Sequence, residues 1–67
     1  MKIESLRQAE EVVAEANRLR RSQEQEVARL RLAGISAARA ETLLAAYRKG
    51  ARLAIARWQF LQTDSSG

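Results

Sequence analysis

The chain has 67 residues and a formal net charge of +4, from 12 basic and 8 acidic side chains, and it contains no Cys, His or Pro. A chain this short forms one domain at most, and it buries too little surface to be comfortably stable without a disulfide, a metal or a partner. Without Cys or His, disulfides are excluded and the commonest metal ligands and general base are missing. We therefore expect no enzymatic activity, no cofactor and no metal, and we expect another protein chain to supply the missing stability.

The sequence predicts an all-α fold, an antiparallel hairpin of two long helices in a single domain over residues 1–67. Helix-forming residues run almost unbroken from Ile3 to Gln62. The hairpin is expected to assemble into a four-helix bundle or to pack on a partner. In chain order the expected segments are a first helix over about 5–32, a turn over 33–36, a second helix over about 37–62 and a disordered polar tail over 63–67.

Three signals at the middle of the chain predict the turn. Gly34 can adopt the left-handed conformation that closes a helix, and Ser36 can cap the next helix. Ile35 can then pack on Ala40 as a hydrophobic staple. The alternative is one continuous helix through Gly34, at a cost of about 1 kcal/mol for the glycine.

The first helix is expected to begin at Ser5, which with Gln8 matches a capping box. Its apolar face is interrupted, because Arg20 and Gln23 occupy heptad positions between apolar residues. The stretch 17–26 therefore either faces water, frays or accepts a polar partner. The apolar positions of that face are Leu6, Ala9, Val13, Ala16, Val27 and Leu30.

The second helix carries two apolar stripes, more than one interrupted helix can cover. An inner stripe with steps of three and four is typical of a coiled-coil seam and consists of Ala37, Ala40, Leu44, Tyr47, Ala51, Ala54, Trp58 and Leu61. An outer stripe beside it consists of Leu43, Ala46, Gly50, Leu53 and Phe60. We expect the surplus to be buried against another chain. The predicted interface is Leu43, Leu44, Ala46, Tyr47, Gly50, Ala51, Leu53, Ala54, Trp58, Phe60 and Leu61.

Small residues recur four apart at Ala46, Gly50 and Ala54. Such a spacing lets two helix backbones approach closely. One interpretation is a tight helix crossing at a subunit interface, and the other is packing within the hairpin. Gly50 costs helix stability relative to alanine, so a packing reason is expected in either case.

Six cationic side chains are predicted to share one level once the chain folds at Gly34, namely Arg18, Arg20, Arg21, Arg48, Lys49 and Arg52. One interpretation is a basic girdle that binds phosphates or an acidic protein, since Arg forks suit both. The other is a solvated face with local ion pairs, such as Glu15 with Arg18 and Glu41 with Arg48.

No membrane span or secretory signal is recognisable. The longest apolar runs, such as 43–46, are far shorter than a span, and the first ten residues lack an apolar core. We expect a soluble, cytoplasmic protein that does not bind membranes. In size and layout the predicted hairpin resembles two kinds of small bacterial protein, the plasmid copy-number RNA-binding hairpins and the hairpin co-chaperones of type III secretion. That likeness assigns no functional residue.

Three functions remain open. The first is a non-enzymatic protein–protein interaction module, an adaptor, co-chaperone or inhibitor that uses the apolar stripes of the second helix, as a homodimer or with a heteromeric partner. The second is a four-helix-bundle dimer whose basic girdle binds RNA or DNA. The third is a structural coiled-coil assembly element. The first is favoured because the surplus surface is apolar rather than cationic.

Overall fold

Two antiparallel α-helices form the whole of the described fold. The computed structural model describes residues 2–66, and the surroundings of the side chains for residues 6–63. Helix α1 spans Lys2–Leu32 and helix α2 spans Ala38–Ser66, and they pack against each other as a hairpin. The molecule is a thin rod of 51 × 14 × 13 Å. The predicted all-α helical hairpin is confirmed.

The turn closes α1 through a left-handed glycine. Gly34 has a φ of 71°, and its N–H donates to the carbonyl of Arg31 at 3.1 Å. The N–H of Ile35 donates to the carbonyl of Leu30 at 2.9 Å. These two bonds and the left-handed residue make a Schellman motif, which satisfies carbonyls left open at the helix end. The chain therefore reverses at Gly34 as predicted, and the alternative of one continuous helix is wrong.

The hydrogen bond that caps the start of α2 is longer than those that close the end of α1. The Ser36 hydroxyl accepts from the backbone N–H of Ala38 at 3.5 Å, which is long for a cap. The first intrahelical bond is short, from the N–H of Glu41 to the carbonyl of Ala37 at 2.7 Å. Ile35 stays 54% exposed, so the predicted staple buries little of this side chain.

Both helices extend beyond the predicted ends. Helix α1 begins at Lys2, so Ser5 lies inside the helix instead of capping it. Residues 63–66, predicted as part of a disordered tail, continue α2, and the Thr63 hydroxyl donates to the carbonyl of Gln59 at 3.0 Å. Residues 2–4 and 63–66 contain no Gly or Pro, so extending an existing helix through them costs little. Met1 and Gly67 lie outside the described residues.

The hydrophobic core is narrow and rich in alanine. The buried side chains among the described residues are Ala9, Val27, Ala37, Leu44 and Ala51. Near the turn, Leu30 and Ala40 pack against the cluster of Val27, Ala37 and Leu44. No described side chain is completely enclosed. Two helices joined by so thin a seam leave large apolar side chains such as Val12, Leu53 and Phe60 open to water.

The interrupted part of α1 accepts polar partners from α2, the third of the alternatives that the sequence left open. Gln23 donates its Nε2 to the carbonyl of Ala40 at 3.0 Å across the hairpin. Glu24 pairs with Arg20 of its own helix at 3.0 Å and with Arg48 of α2 at 3.5 Å. Polar side chains thus continue the contact between the helices where apolar ones are missing.

Candidate interaction surface

One flank of the hairpin carries a charged cleft of about 510 Å³. Two cross-hairpin ion pairs lie here, Arg31 with Glu41 at 2.5 Å and Arg48 with Glu24. Glu41 therefore pairs with Arg31 and not with the predicted Arg48. The complete lining of the charged cleft is Glu24, Val27, Ala28, Arg31, Glu41, Leu44, Ala45 and Arg48.

The other flank carries an apolar groove of about 700 Å³. A helix turns by roughly 100° per residue, so Arg48 in the cleft and Gly50 in the groove point about 160° apart. A smaller depression that shares Gln8 and Val12 with the groove continues it past Ala54 and Arg57. The residues lining the apolar groove are Gln8, Glu11, Val12, Glu15, Ala16, Leu19, Ala46, Tyr47 and Gly50.

The structure divides the predicted interface residues into three sets. Leu44 and Ala51 are buried in the core of the hairpin itself and are not open to a second chain. Half-buried residues form the second set, Tyr47, Ala54, Trp58 and Leu61. The exposed set is the complete outer stripe, Leu43, Ala46, Gly50, Leu53 and Phe60. Helix α1 thus covers the inner stripe and leaves the outer stripe open.

Gly50 has no packing role inside the hairpin. A Cβ atom built on it would meet no heavy atom within 4 Å. A mid-helix glycine is about 1 kcal/mol less favourable than alanine. No packing contact with α1 offsets this loss of helix stability. Packing within the hairpin, one of the two interpretations of the small-residue spacing, therefore does not account for Gly50.

Helix α1 contributes two apolar groove residues, Val12 and Leu19, that the predicted apolar face did not include. Val12 is 55% exposed and lines the groove together with Leu19 and Ala16. Val12 and Leu19 are seven residues apart and Ala16 lies between them, so all three share one helical face. This spacing could have revealed a second apolar face of α1, although the neighbouring face of Ala9 and Val13 has the same period.

Trp58 combines partial burial with an unpaired polar atom. Its side chain is half-buried, while its indole Nε1 is enclosed and has no hydrogen-bond partner among the described residues. A buried donor left unsatisfied costs about 1–3 kcal/mol. The indole ring therefore adds apolar contact at the open end of the hairpin, while its unpaired N–H lowers the stability of the fold.

Ion pairs with carboxylates occupy three of the six predicted anion-binding residues. Arg20 and Arg48 meet at Glu24, while Arg18 pairs with Glu15 of its own helix. Three of these six are exposed and have no ion pair to any of residues 6–63, namely Arg21, Lys49 and Arg52. Half of the predicted girdle is thus already paired with carboxylates.

Three carboxylates of α1, those of Glu15, Glu24 and Glu26, form ion pairs with arginines. The guanidinium of Arg18 donates hydrogen bonds to Glu15 and holds the pKa of that carboxyl below its usual value. Arg29 lowers the pKa of Glu26 in the same way, donating from Nη2 at 2.7 Å. Among the described residues no three acidic side chains are placed to hold a metal ion.

Comparisons with protein-family models, curated proteins and solved structures find no match to this chain. Neither α1 nor α2, over the residues described, combines the length and apolar character that a membrane span needs. The geometry of the two flanks is therefore the basis on which a function can be argued.

Proposed function

We propose that the protein is a small non-enzymatic protein–protein interaction module, an adaptor, co-chaperone or inhibitor, that binds another chain through the apolar groove and the outer stripe of α2. The observation that supports this most directly is that the outer stripe is exposed in its entirety beside a groove with apolar walls. Contiguous exposed apolar surface of this kind marks interaction sites on small proteins.

The exposed apolar side chains can supply the energy for binding. Leu53 leaves 63% of its surface in water and Phe60 leaves 72%. Burying a Leu or Phe side chain contributes about 1.5–3 kcal/mol. Leu43 and Val12, at 44% and 55% exposed, add to the same flank. The charged flank offers no comparable surplus, because its guanidinium groups already face carboxylates.

A nucleic-acid-binding dimer is the second candidate, and exposed Arg21, Lys49 and Arg52 favour it. Each phosphate contact adds a salt-dependent increment, so the three unpaired cations of the predicted girdle support only weak and non-specific binding. Titration of labelled RNA and DNA at low and physiological salt distinguishes the two candidates. Tight, sequence-selective binding at physiological salt would make nucleic-acid binding the favoured function.

The test of the proposed function compares the same substitution, Leu to Gln, on the outer stripe and at an exposed position outside the groove. Tagged parent and variants are used to capture binding chains, including further copies of this one, from the source cell. We expect Leu43→Gln with Leu53→Gln to reduce the captured chain at least tenfold, because both substitutions put a polar amide on the outer stripe. Leu32→Gln is the matched control, since Leu32 is 90% exposed and lines no part of the groove.

One outcome of the capture experiment would contradict the proposed function. If the double variant retains the same chains in the same amounts as the parent, the outer stripe is not the binding surface. Circular dichroism of each variant checks that its helices are intact.

A further inference from the structure

Building on the proposed function, we infer that the chain bound in the apolar groove is a second copy of this protein. The two hairpins lie antiparallel, with a two-fold axis passing beside Gly50, so that Gly50 of one copy faces Gly50 of the other. The result is a four-helix bundle in which each copy covers the outer stripe of its neighbour.

The surface area of the hairpin matches what such a dimer would bury. The chain exposes 5344 Å². A folded monomer of 7.5 kDa is expected to expose roughly 4,200 Å², so the excess is roughly 1,100 Å². A standard stable interface removes about 800 Å² from each partner. One copy laid along the groove therefore brings the protein to the compactness of an ordinary small domain.

The position of Gly50 favours an antiparallel pair. Gly50 lies near the middle of α2, which spans Ala38–Ser66. A two-fold axis at the midpoint lets two antiparallel helices overlap along their full length. The same axis places Ala46 of one copy beside Ala54 of the other, four residues on each side of Gly50. Small side chains then line the whole crossing, and the two helix axes can approach closely.

The walls of the groove fit the same symmetry. Ala16 and Gly50 line one groove and lie at a similar level along the rod. Val12 and Leu19 lie on either side of Ala16, so the two-fold axis places Val12 of one copy against Leu19 of the other. Glu15 lies near the axis but has Arg18 as its counter-ion, which limits the repulsion between the two Glu15 side chains.

The test uses the absence of cysteine from the sequence, which means that a single introduced thiol can form a disulfide only between copies. Purified parent is first measured by size-exclusion chromatography with light scattering at micromolar concentration, and a dimer mass is expected. Gly50→Cys is then oxidised. The Cα atoms of a disulfide are usually about 4.4–6.8 Å apart, so a fast-forming bond would require the two copies of residue 50 to lie this close.

Ala45→Cys is the matched control, because Ala45 is exposed on the charged cleft and faces away from the groove. We expect covalent dimers of Gly50→Cys to form at least tenfold faster than those of Ala45→Cys. Because a side chain at Gly50 could itself disturb a close crossing, a mixture of Ala46→Cys chains with Ala54→Cys chains is oxidised as well. Mixed disulfides should exceed like-with-like disulfides severalfold.

A parent that stays monomeric, or equal oxidation rates at Gly50→Cys and Ala45→Cys with no preference in the mixture, would overturn the inference. A different result would refute the proposed function. A monomeric parent whose capture of a different chain is abolished by Leu43→Gln with Leu53→Gln refutes the second copy and leaves the interaction module standing. A parent that neither dimerises nor captures any chain refutes both.

Discussion

At the scale of single residues, Glu24 takes part in two ion pairs. Its carboxylate faces Arg20 on α1 and Arg48 on α2, and so it bridges the two helices at the point where the apolar seam is broken. The side chain is 36% exposed, so solvent screens both pairs. The bridge therefore contributes modestly to stability while fixing how the helices meet.

Replacing Glu24 by Gln should lower the free energy of unfolding by up to about 1 kcal/mol, the usual upper range for partly exposed ion pairs. Glu10→Gln is the control, because Glu10 is exposed and has no ion pair to the other described side chains. Urea unfolding of both variants at one protein concentration measures the difference, which should shrink in 1 M salt as the Debye length falls. Equal stabilities of the two variants at low salt would show that the bridge contributes nothing.

At the scale of structural elements, the turn is the best-defined feature of the chain. Gly34 has the only positive φ among the described residues, and two backbone hydrogen bonds depend on that conformation. No neighbouring atom lies where its Cβ would be, so the constraint is conformational and not steric. An L-residue pays about 1–2 kcal/mol to adopt this conformation.

Gly34→Ala should therefore destabilise the hairpin by about 1–2 kcal/mol. Gly34→Asn should cost less, because asparagine tolerates the left-handed region better than other side chains. Thermal unfolding of the two variants at equal concentration gives the comparison. An alanine variant as stable as the parent would mean that the chain reverses without this conformation.

The turn could be predicted because its determinants are local, a glycine followed by Ser36 within a few residues. The helix ends could not, because no Gly or Pro lies within residues 2–4 or 63–66, and the capping pattern at Ser5 is weaker than continued propagation to Lys2. The pairing of Glu41 with Arg31 depends on the register of the two helices, which sequence spacing fixes only approximately.

The outer stripe was visible in the sequence of α2 because its period is regular. The opposite wall of the groove was not, since Val12 and Leu19 are set apart from the core face of α1 only by the rotation of that helix about its own axis. That rotation follows from the packing of both helices together. A single helical pattern therefore cannot reveal it.

At the scale of the whole molecule, the chain is a rod with a core one side chain wide. Its buried residues are mostly alanines, and several of its large apolar side chains, such as Leu53 and Phe60, remain in water. Burial per residue is lower than in compact domains, which are themselves only marginally stable at this size. We therefore expect the stability of the hairpin to depend on association with a second chain.

The most direct test of this dependence is the melting temperature of the purified protein over a hundredfold dilution, followed by circular dichroism. For a folded dimer that unfolds to single chains, each tenfold dilution removes about 1.4 kcal/mol from the apparent stability. We expect the melting temperature to fall steadily by several degrees over the series, with helicity and association lost together. A cooperative transition whose midpoint is the same at every concentration would show that the hairpin is stable alone and would contradict the dependence on a second chain.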